Sequence, residues 1–153
     1  MAPGTPTAGQ VTRDDEWRVM RLEVFDTNVV GVIRVTRAAL PLLRNSGNLV
    51  VVDISSALSS LWAVTNPEQP LHVPAIVCGA SMAAVSMLTA QYAKALLEIT
   101  FNAVEPGFTS TGFGGGGGGR LVAESATVIV RIATTSKDGA TGTFQEATGE
   151  LAW

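Results

Sequence analysis

One run of branched apolar residues constrains the fold of this chain more than any other segment. Residues 49 to 54 read Leu-Val-Val-Val-Asp-Ile and follow the turn-forming sequence Asn45-Ser46-Gly47 after one intervening residue, Asn48. A nearly continuous apolar run, without the alternation of a half-exposed strand, is typical of a parallel strand that is covered on both faces. Because such a strand needs helices on both sides of its sheet, the run predicts an α/β layer structure.

Helical and strand-like patterns alternate along the rest of the chain. Asp14, Asp15 and Glu16 supply negative charge where a helix begins, and Pro41 falls in the last turns of that helix. The alternation predicts parallel strand pairing through right-handed crossovers. The predicted elements are helices at 14–44, 78–97 and 121–134, strands at 49–54, 99–104 and 141–145, and a long loop at 55–74. On the last helix we expect an inner face of Val122, Ala126, Ile129, Val130 and Ala133.

Composition limits the classes of function. The chain has 153 residues, of which 46% are hydrophobic and 15% charged, enough for one compact domain. We predict a flexible arm at residues 1–13 and a single domain at 14–153. The net charge of −3, with Lys and Arg scattered, argues against a nucleic-acid partner. A single cysteine excludes an internal disulfide, and the N-terminal residues lack the pattern of a signal peptide, so we expect a cytoplasmic protein with no membrane partner.

The start of the second predicted helix carries a pair of residues with a catalytic spacing. Cys78 and Met82 stand four positions apart and therefore share one helical face. The surrounding sequence, Cys-Gly-Ala-Ser-Met-Ala-Ala, resembles the active-site helix of the short-chain dehydrogenase/reductase family, Tyr-x-Ala-Ser-Lys-Ala-Ala. In that family the lysine ammonium lowers the pKa of the tyrosine for proton transfer. The resemblance implies that Cys78 occupies the tyrosine position and Met82 the lysine position, so the acid/base pair is replaced.

Three further motifs extend the resemblance from about Trp17 to Trp153. Residues 25–31 resemble the family's helix with a structural and catalytic asparagine, which would be Asn28. Residues 52–56 resemble the strand end that presents a catalytic serine, which would be Ser56. Residues 102–111 resemble the segment beside the nicotinamide, and the resemblance implies that its cofactor-binding remnant consists of Pro106, Gly107 and Thr111.

The resemblance also implies what the chain lacks. Gly4 and Gly9 do not follow a strand, so the family's glycine-rich dinucleotide turn has no counterpart. The predicted fold is therefore a truncated Rossmann-like parallel sheet flanked by helices, without the N-terminal dinucleotide-binding half. We expect no cofactor, with NAD(P) as the alternative. One histidine and one cysteine without clustered carboxylates give too few ligands for a metal site.

Aromatic residues surround the predicted pocket. Ser56 and Cys78 are 22 positions apart (78 − 56 = 22). This interval is longer than the usual spacing between the serine and tyrosine positions of the family, so the resemblance implies an inserted loop. The predicted substrate-binding residues are Trp62, His72, Phe108 and Phe113, which favour a largely apolar carbonyl compound.

Each of these residues also has a structural interpretation. Trp62 would serve as a packing group, His72 as a solvated or backbone-bonded imidazole, and Cys78 as a packed, inert thiol. Ser56 would cap local backbone. The glycine run from Gly114 to Gly119 does not sit at a strand-to-helix turn before Lys-Ser/Thr, so it is not a phosphate loop, and we expect it to be adaptable.

Two functions stay open at this point. The first is a degenerate family member that acts as a partner subunit, or as a cofactor-independent catalyst of an isomerase, lyase or cyclase type. The second is an NAD(P)-dependent carbonyl reductase that another chain completes. The helices at 14–44 and 78–97 are apolar over a wide arc, and the strand at 49–54 would lie at a sheet edge. We therefore expect a homo-oligomer, a dimer or higher.

Overall fold

The structure, a computed structural model, describes residues 21–69, 75–112, 118–134 and 139–153. Four predictions lie outside these ranges: the flexible arm at 1–13, the helix start at residue 14, and the positions of His72 and Phe113. Of the glycine run, only Gly118 and Gly119 are described.

A four-stranded sheet forms the centre of the described structure. Its strands are β1 (Val50–Ile54), β2 (Thr100–Val104), β3 (Phe144–Glu146) and β4 (Gly149–Glu150), in the order β1-β2-β3-β4. β1 and β2 are parallel and in register over five residue pairs, and β2 and β3 are also parallel. β4 pairs with β3 in the antiparallel direction, which the all-parallel prediction missed. The α/β prediction is confirmed, and β1 lies at one edge of the sheet.

Helices surround this sheet. Residues 21–25 are α-helical, and the chain continues through a π-helical turn (Asp26–Val30) into α1 (Gly31–Arg44). After β1 come a 3-10 turn (Ala57–Ser59) and the short helix α2 (Leu61–Thr65). The long helix α3 is Ile76–Ala95, and α4 is Val122–Ala133.

The prediction of a continuous loop at 55–74 was wrong over residues 57–65. A serine hydroxyl caps the N-terminus of each of the two elements found there. Ser56 Oγ accepts a hydrogen bond from the amide of Leu58 at 3.3 Å, and Ser60 Oγ accepts one from the amide of Ala63 at 2.9 Å. Such side-chain caps satisfy amides that would otherwise lack a partner at a helix start.

The core lies on both faces of β2, all of whose residues are buried. Phe101 packs with Ala93 and Ile99 on one side, and its ring stacks on Tyr92 with centroids 5.3 Å apart. Burying a phenylalanine side chain stabilises a fold by about 1.5–3 kcal/mol. A second cluster contains Ala103, Phe144 and Leu151, and Ala103 shares the face of β2 with Phe101 because alternate strand residues point to the same side. A third cluster, Val104, Val128 and Ile132, lies on the opposite face.

The buried face of α4 differs from the predicted one. Ser125, Val128 and Ile132 are buried, whereas Val122 and Val130 are exposed. The hydroxyl of Ser125 lies 2.6 Å from the hydroxyl of Thr109. This polar contact turns Ser125 inward, and the apolar periodicity of the helix gave no sign of it.

Much apolar surface on the helices is not covered within the described structure. α3 is long and apolar enough to cross a membrane by length and composition, a test that core helices of soluble proteins also pass. Its buried positions, among them Val85 and Thr89, include the face that packs on the sheet. Within α1 only Thr36 is buried. The exposed apolar side chains on these helices include Ile33, Val35, Leu42, Ile76 and Met87.

Candidate functional site

The candidate site lies where the parallel strands β1 and β2 end. Parallel strands present their carboxyl ends at the same sheet edge, so the residues that follow them are neighbours. Ser55 and Ser56 follow β1, and Glu105 follows β2. The amide of Ser55 donates to the carbonyl of Val104 at 2.9 Å, which continues the strand pairing by one residue.

Asn28 is joined to the helix of Cys78 and Met82. Its side-chain amide donates a 3.0 Å hydrogen bond to the hydroxyl of Ser81. Ser81 in turn donates to the carbonyl of Cys78 at 2.8 Å. Cys78 is exposed at the start of α3, and Met82 is half-buried one turn later. The structure therefore brings together three of the four predicted catalytic residues.

A cluster of three buried hydroxyl groups joins the loop after β1 to α3. Ser55, Ser59 and Ser86 lie 2.8 to 3.0 Å apart, oxygen to oxygen. Ser55 also lies 3.3 Å from the carbonyl of Met82, to which it can donate. The sequence analysis missed this cluster, although Ser86 interrupts the apolar run from residue 82 to 88 and was the available signal.

Ser56 lies beside this cluster. It is half-buried, and its hydroxyl accepts from the amide of Leu58. A Cβ atom on Gly79 would lie 3.2 Å from the carbonyl oxygen of Leu58, so the absence of a side chain allows this loop to approach α3 closely. Ser56 therefore caps the local backbone, as its structural interpretation expects. The Ser56 oxygen is the acceptor in this bond, so the hydroxyl hydrogen of Ser56 is not used in it.

Glu105 links the two loops at this edge of the sheet, and the sequence analysis missed it. Its Oε2 atom accepts from the amide of Ala57, and its Oε1 atom accepts from the amide of Gly107 at 2.6 Å. Burial raises the pKa of Glu105 above its ordinary 4.5, and the two amides and the charge of Arg120 oppose that shift. A carboxylate between an apolar strand and Pro-Gly was the available signal.

Arg120 covers the turn that was predicted as a cofactor-binding remnant. Its guanidinium donates to the carbonyl of Pro106 at 3.0 Å. Gly107 has φ of +83°, and a Cβ atom there would lie 2.7 Å from the Cζ atom of Arg120. Thr111 is exposed. Pro106 and Gly107 therefore lie under an arginine side chain in this structure.

Trp62 and Phe108, the predicted substrate-binding aromatics that lie within the described ranges, do not line the same cavity. Trp62 is 45% exposed and lines a cavity of about 370 Å³, whereas Phe108 is 66% exposed and is not among its lining residues. Glu146 and Glu150 give this cavity an acidic character. The other lining residues are Ala57, Ala63, Gln69, Leu151 and Ala152.

A groove of about 490 Å³ runs between α1 and the open edge of β1. Asp53 is a charged residue in its lining, and the hydroxyl of Thr89 donates to its carboxylate at 2.7 Å. The apolar lining includes Val32, Val35, Leu43, Val50 and Val52.

The described residues do not include the phosphate-binding turn of a nicotinamide dinucleotide site. Such a cofactor needs a glycine-rich strand-to-helix turn for its pyrophosphate. In the described ranges, β1 leads into Ser55 and Ser56, and β2 leads into Glu105, Pro106 and Gly107, so neither strand is followed by such a turn. Among the same residues, no group of three or more His, Cys, Asp and Glu side chains is placed to hold a metal ion.

Comparison with known proteins places this geometry in context. A model of the short chain dehydrogenase family matches residues 6–116. The short-chain dehydrogenase anuI of Penicillium roqueforti is 35% identical over an alignment of 124 residues, and the match covers 72% of this chain and 47% of that protein. The chain therefore spans about half the length of this curated relative.

Solved structures share the fold. The carbonyl reductase Sniffer of Drosophila melanogaster superposes with a TM-score of 0.70 at 21% identity, over 100% of this chain and 63% of that one. The NADPH-bound carbonyl reductase from chicken fatty liver gives 0.70 at 23% identity, over 98% of this chain and 64% of that one. A short-chain dehydrogenase/reductase from Burkholderia multivorans with bound NADP gives 0.72 at 20% identity, over 97% and 60%.

Proposed function

The chain belongs to the short-chain dehydrogenase family, and we propose that it is a member without independent nicotinamide-dependent reductase activity. The observation that carries this proposal is the face of α3 formed by Cys78 and Met82. In the active-site helix of the family, the corresponding positions hold the tyrosine that donates the proton and the lysine whose charge activates it. A thioether has no proton to give and no charge. Met82 therefore cannot perform the task of the lysine.

The proposed role that remains is binding and polarising a carbonyl group. The hydroxyl of Ser56 can donate to a carbonyl oxygen while its own oxygen accepts from Leu58. A donor held in place before the ligand arrives stabilises negative charge on that oxygen. The contact from Asn28 to Ser81 supports the geometry of the neighbouring helix. Such a site suits a partner subunit that binds an apolar carbonyl compound, or a cofactor-independent isomerase, lyase or cyclase in which Cys78 or His72 moves a proton.

Titration with NADPH tests the first part of the proposal. We expect no quenching of tryptophan fluorescence at micromolar NADPH and no oxidation of NADPH in the presence of an apolar ketone. Quenching at micromolar NADPH would overturn it. The double variant Cys78→Tyr/Met82→Lys restores the family's residue pair and serves as a comparison. If oxidation of NADPH appears only in this variant, the replaced pair is the cause of the inactivity.

The infrared band of a labelled ketone tests the second part. Acetophenone with a ¹³C carbonyl is the probe, and a hydrogen bond from Ser56 moves its carbonyl stretch to lower frequency. We expect this shift with the natural chain and its loss in Ser56→Ala. Ser46→Ala changes an exposed hydroxyl, which donates to the carbonyl of Asn48 and accepts from the amide of the same residue, and is the matched control. An unchanged shift in Ser56→Ala would remove the carbonyl-polarising role.

A reductase completed by another chain is the second candidate. It is favoured by the outer edge of β1, which pairs with no strand among the described residues, and by the groove beside it, where further strands and a dinucleotide-binding half can join the sheet. The chain isolated from its own cells would then form a complex with a second polypeptide, and the complex would oxidise NADPH with an apolar ketone. An isolated complex that leaves NADPH unchanged would count against this candidate.

A further inference from the structure

Glu105 occupies a position between the two loops of the candidate site. Its backbone amide donates to the carbonyl of Gln145 at 2.8 Å, so the main chain of Glu105 is held by the sheet. Its side chain reaches away from the sheet, with one carboxylate oxygen on the amide of Ala57 and the other on the amide of Gly107. One carboxylate thus contacts the loop that follows β1 and the turn that follows β2.

The two amides are placed where they control the site. Ala57 is the residue directly after Ser56 and the first residue of the 3-10 turn that Ser56 caps. Gly107 forms the turn with Pro106 and has a φ of +83°, a backbone conformation that glycine adopts without steric cost. Holding both amides with one side chain fixes the separation of the two loops. Hydrogen bonds to an ionised carboxylate are shorter and stronger than those to a neutral acceptor.

We propose that Glu105 is a positioning residue, whose carboxylate holds the Ser56 loop against the Pro106–Gly107 turn and thereby sets the direction of the Ser56 hydroxyl. The consequence for carbonyl binding rests on the proposed function of Ser56. The link between the two loops rests only on the two hydrogen bonds. Glu105 does not contact the ligand in this scheme and acts through Ser56.

The charges that face Glu105 are of both signs. Arg120, from the segment before α4, lowers the pKa of Glu105, and Glu146 of β3 raises it. Burial is the largest influence and raises the pKa, so the carboxylate gains its proton at a higher pH than an exposed glutamate does. Protonation turns one acceptor oxygen into a hydroxyl, which cannot accept from its amide in the same way. The link between the loops therefore loosens as the pH falls.

A ¹H–¹⁵N NMR titration of the full chain from about pH 3 to pH 8 tests the link directly. Amide protons that donate to a carboxylate move when that carboxylate gains its proton. We expect the amides of Ala57 and Gly107 to titrate with one common midpoint above 4.5, the ordinary value of a glutamate. The amide of Ser56 should follow at the same midpoint. Separate midpoints for Ala57 and Gly107, or no movement of either, would overturn the proposal.

Two matched variants assign the titration. Glu105→Gln keeps one acceptor oxygen but faces the second amide with an NH₂ group, so the common titration should disappear. Glu146→Gln removes a nearby carboxylate that accepts from the hydroxyl of Thr148 at 2.9 Å, and the titration should persist. A titration that survives Glu105→Gln would assign it to another group and overturn the proposal. Should Glu105→Gln fail to fold, the common midpoint in the natural chain and its persistence in Glu146→Gln still decide.

The ligand measurement separates this proposal from the proposed function. With ¹³C-acetophenone as the probe, we expect Glu105→Gln to raise the dissociation constant about tenfold and to remove the pH dependence of the carbonyl band. Binding that is equal in strength and band position in Glu105→Gln would overturn the positioning role. If the natural chain does not bind acetophenone, the proposed function of Ser56 fails, while the movement of the Ser56 amide in the titration still decides whether Glu105 positions it.

Discussion

The side-chain amide of Asn28 lies 3.0 Å from the hydroxyl of Ser81, although 53 positions separate the two residues in the sequence. The bond joins the π-helical turn before α1 to the first turns of α3. Within that π-helical turn the amide of Gly31 bonds to the carbonyl of Asp26, one residue further back than in an α-helix. A widened turn of this kind is frequent at functional sites, and here it carries the residue that contacts the helix of Cys78 and Met82.

Asn28→Ala should destabilise the fold by about 1–2 kcal/mol, because it removes the long-range contact and leaves Ser81 with one partner fewer. Urea unfolding followed by circular dichroism measures this change. Asn45→Ala is the matched control, since Asn45 also donates one bond from its side-chain amide, at 3.0 Å, but to the nearby carbonyl of Pro41 on the surface. We expect a change of about 0.5 kcal/mol or less for the control. Equal losses in the two variants would contradict a special role for the contact with Ser81.

Elements with long uniform patterns were predicted closely from the sequence. β1 and β2 each begin one residue later than predicted, and α3 begins two residues before the predicted start. Their apolar runs are long, and burial on both faces leaves few alternative structures. The family resemblance also singled out Asn28, which contacts Ser81 in the structure, and its catalytic role stays a prediction.

The misses have a common physical cause. α2 depends on the hydroxyl of Ser60, which caps the helix by accepting from the amide of Ala63. The same hydroxyl donates at 2.7 Å to the carbonyl of Ala152, a residue far away in the sequence. The rotation of α4 depends on the contact between Ser125 and Thr109. Glu105 is held by amides from two different loops. Each feature is a polar contact between distant segments, and no local pattern in the sequence identifies the partner in such a contact.

Asp53 gives the stability of the fold a definite pH dependence. It is 8% exposed, and burial raises its pKa above the ordinary 3.8, while the hydrogen bond from Thr89 lowers it in part. The unfolded chain therefore loses this proton at a lower pH than the folded chain does. Its contribution to the free energy of unfolding is greatest below pH 3.8 and decreases as the pH rises through the folded pKa, by at most about 1.4 kcal/mol per pH unit.

Asp53→Asn should reduce this slope and increase the stability at neutral pH, because a neutral amide oxygen can accept from Thr89 without the cost of burying a charge. Glu105 contributes a slope of the same sign, since burial raises its pKa as well. Some pH dependence should therefore remain in the variant. Urea unfolding at a series of pH values measures it, with Asp26→Asn, an exposed partner of Arg34 at 3.1 Å, as the control. A slope in Asp53→Asn as steep as in the natural chain would show that Asp53 is not its source.

Gly107→Ala should destabilise the fold for two separable reasons. The φ of +83° costs an alanine about 1–2 kcal/mol, and the new methyl group would meet the guanidinium of Arg120. Adding Arg120→Ala removes the second cost but not the first, so the double variant should lose less than the sum of the two single variants. Thermal unfolding measures all three. Gly47→Ala, where a Cβ atom would meet nothing within 4 Å, is the control and should change little. Strict additivity of the single losses would contradict the contact with Arg120.

The exposed apolar faces of the helices lead to a prediction about assembly. Met87 is 60% exposed in the middle of α3, and Leu42 is exposed on α1. A homodimer that buries about 800 Å² per partner at these helices would remove this surface from water. We expect a dimer in analytical ultracentrifugation at about 5 μM, within the affinity range of stable interfaces.

Met87→Glu tests which surface holds the dimer together. A buried, unpaired carboxylate at the contact would be strongly unfavourable. The variant should therefore sediment as a monomer at the same concentration. Val130→Glu changes a residue of nearly equal exposure, 58%, on α4, and should leave the dimer intact because α4 lies outside the predicted contact. Dissociation by Val130→Glu, but not by Met87→Glu, would move the interface to α4. A well-folded monomer of the natural chain at 5 μM would contradict the assembly prediction itself.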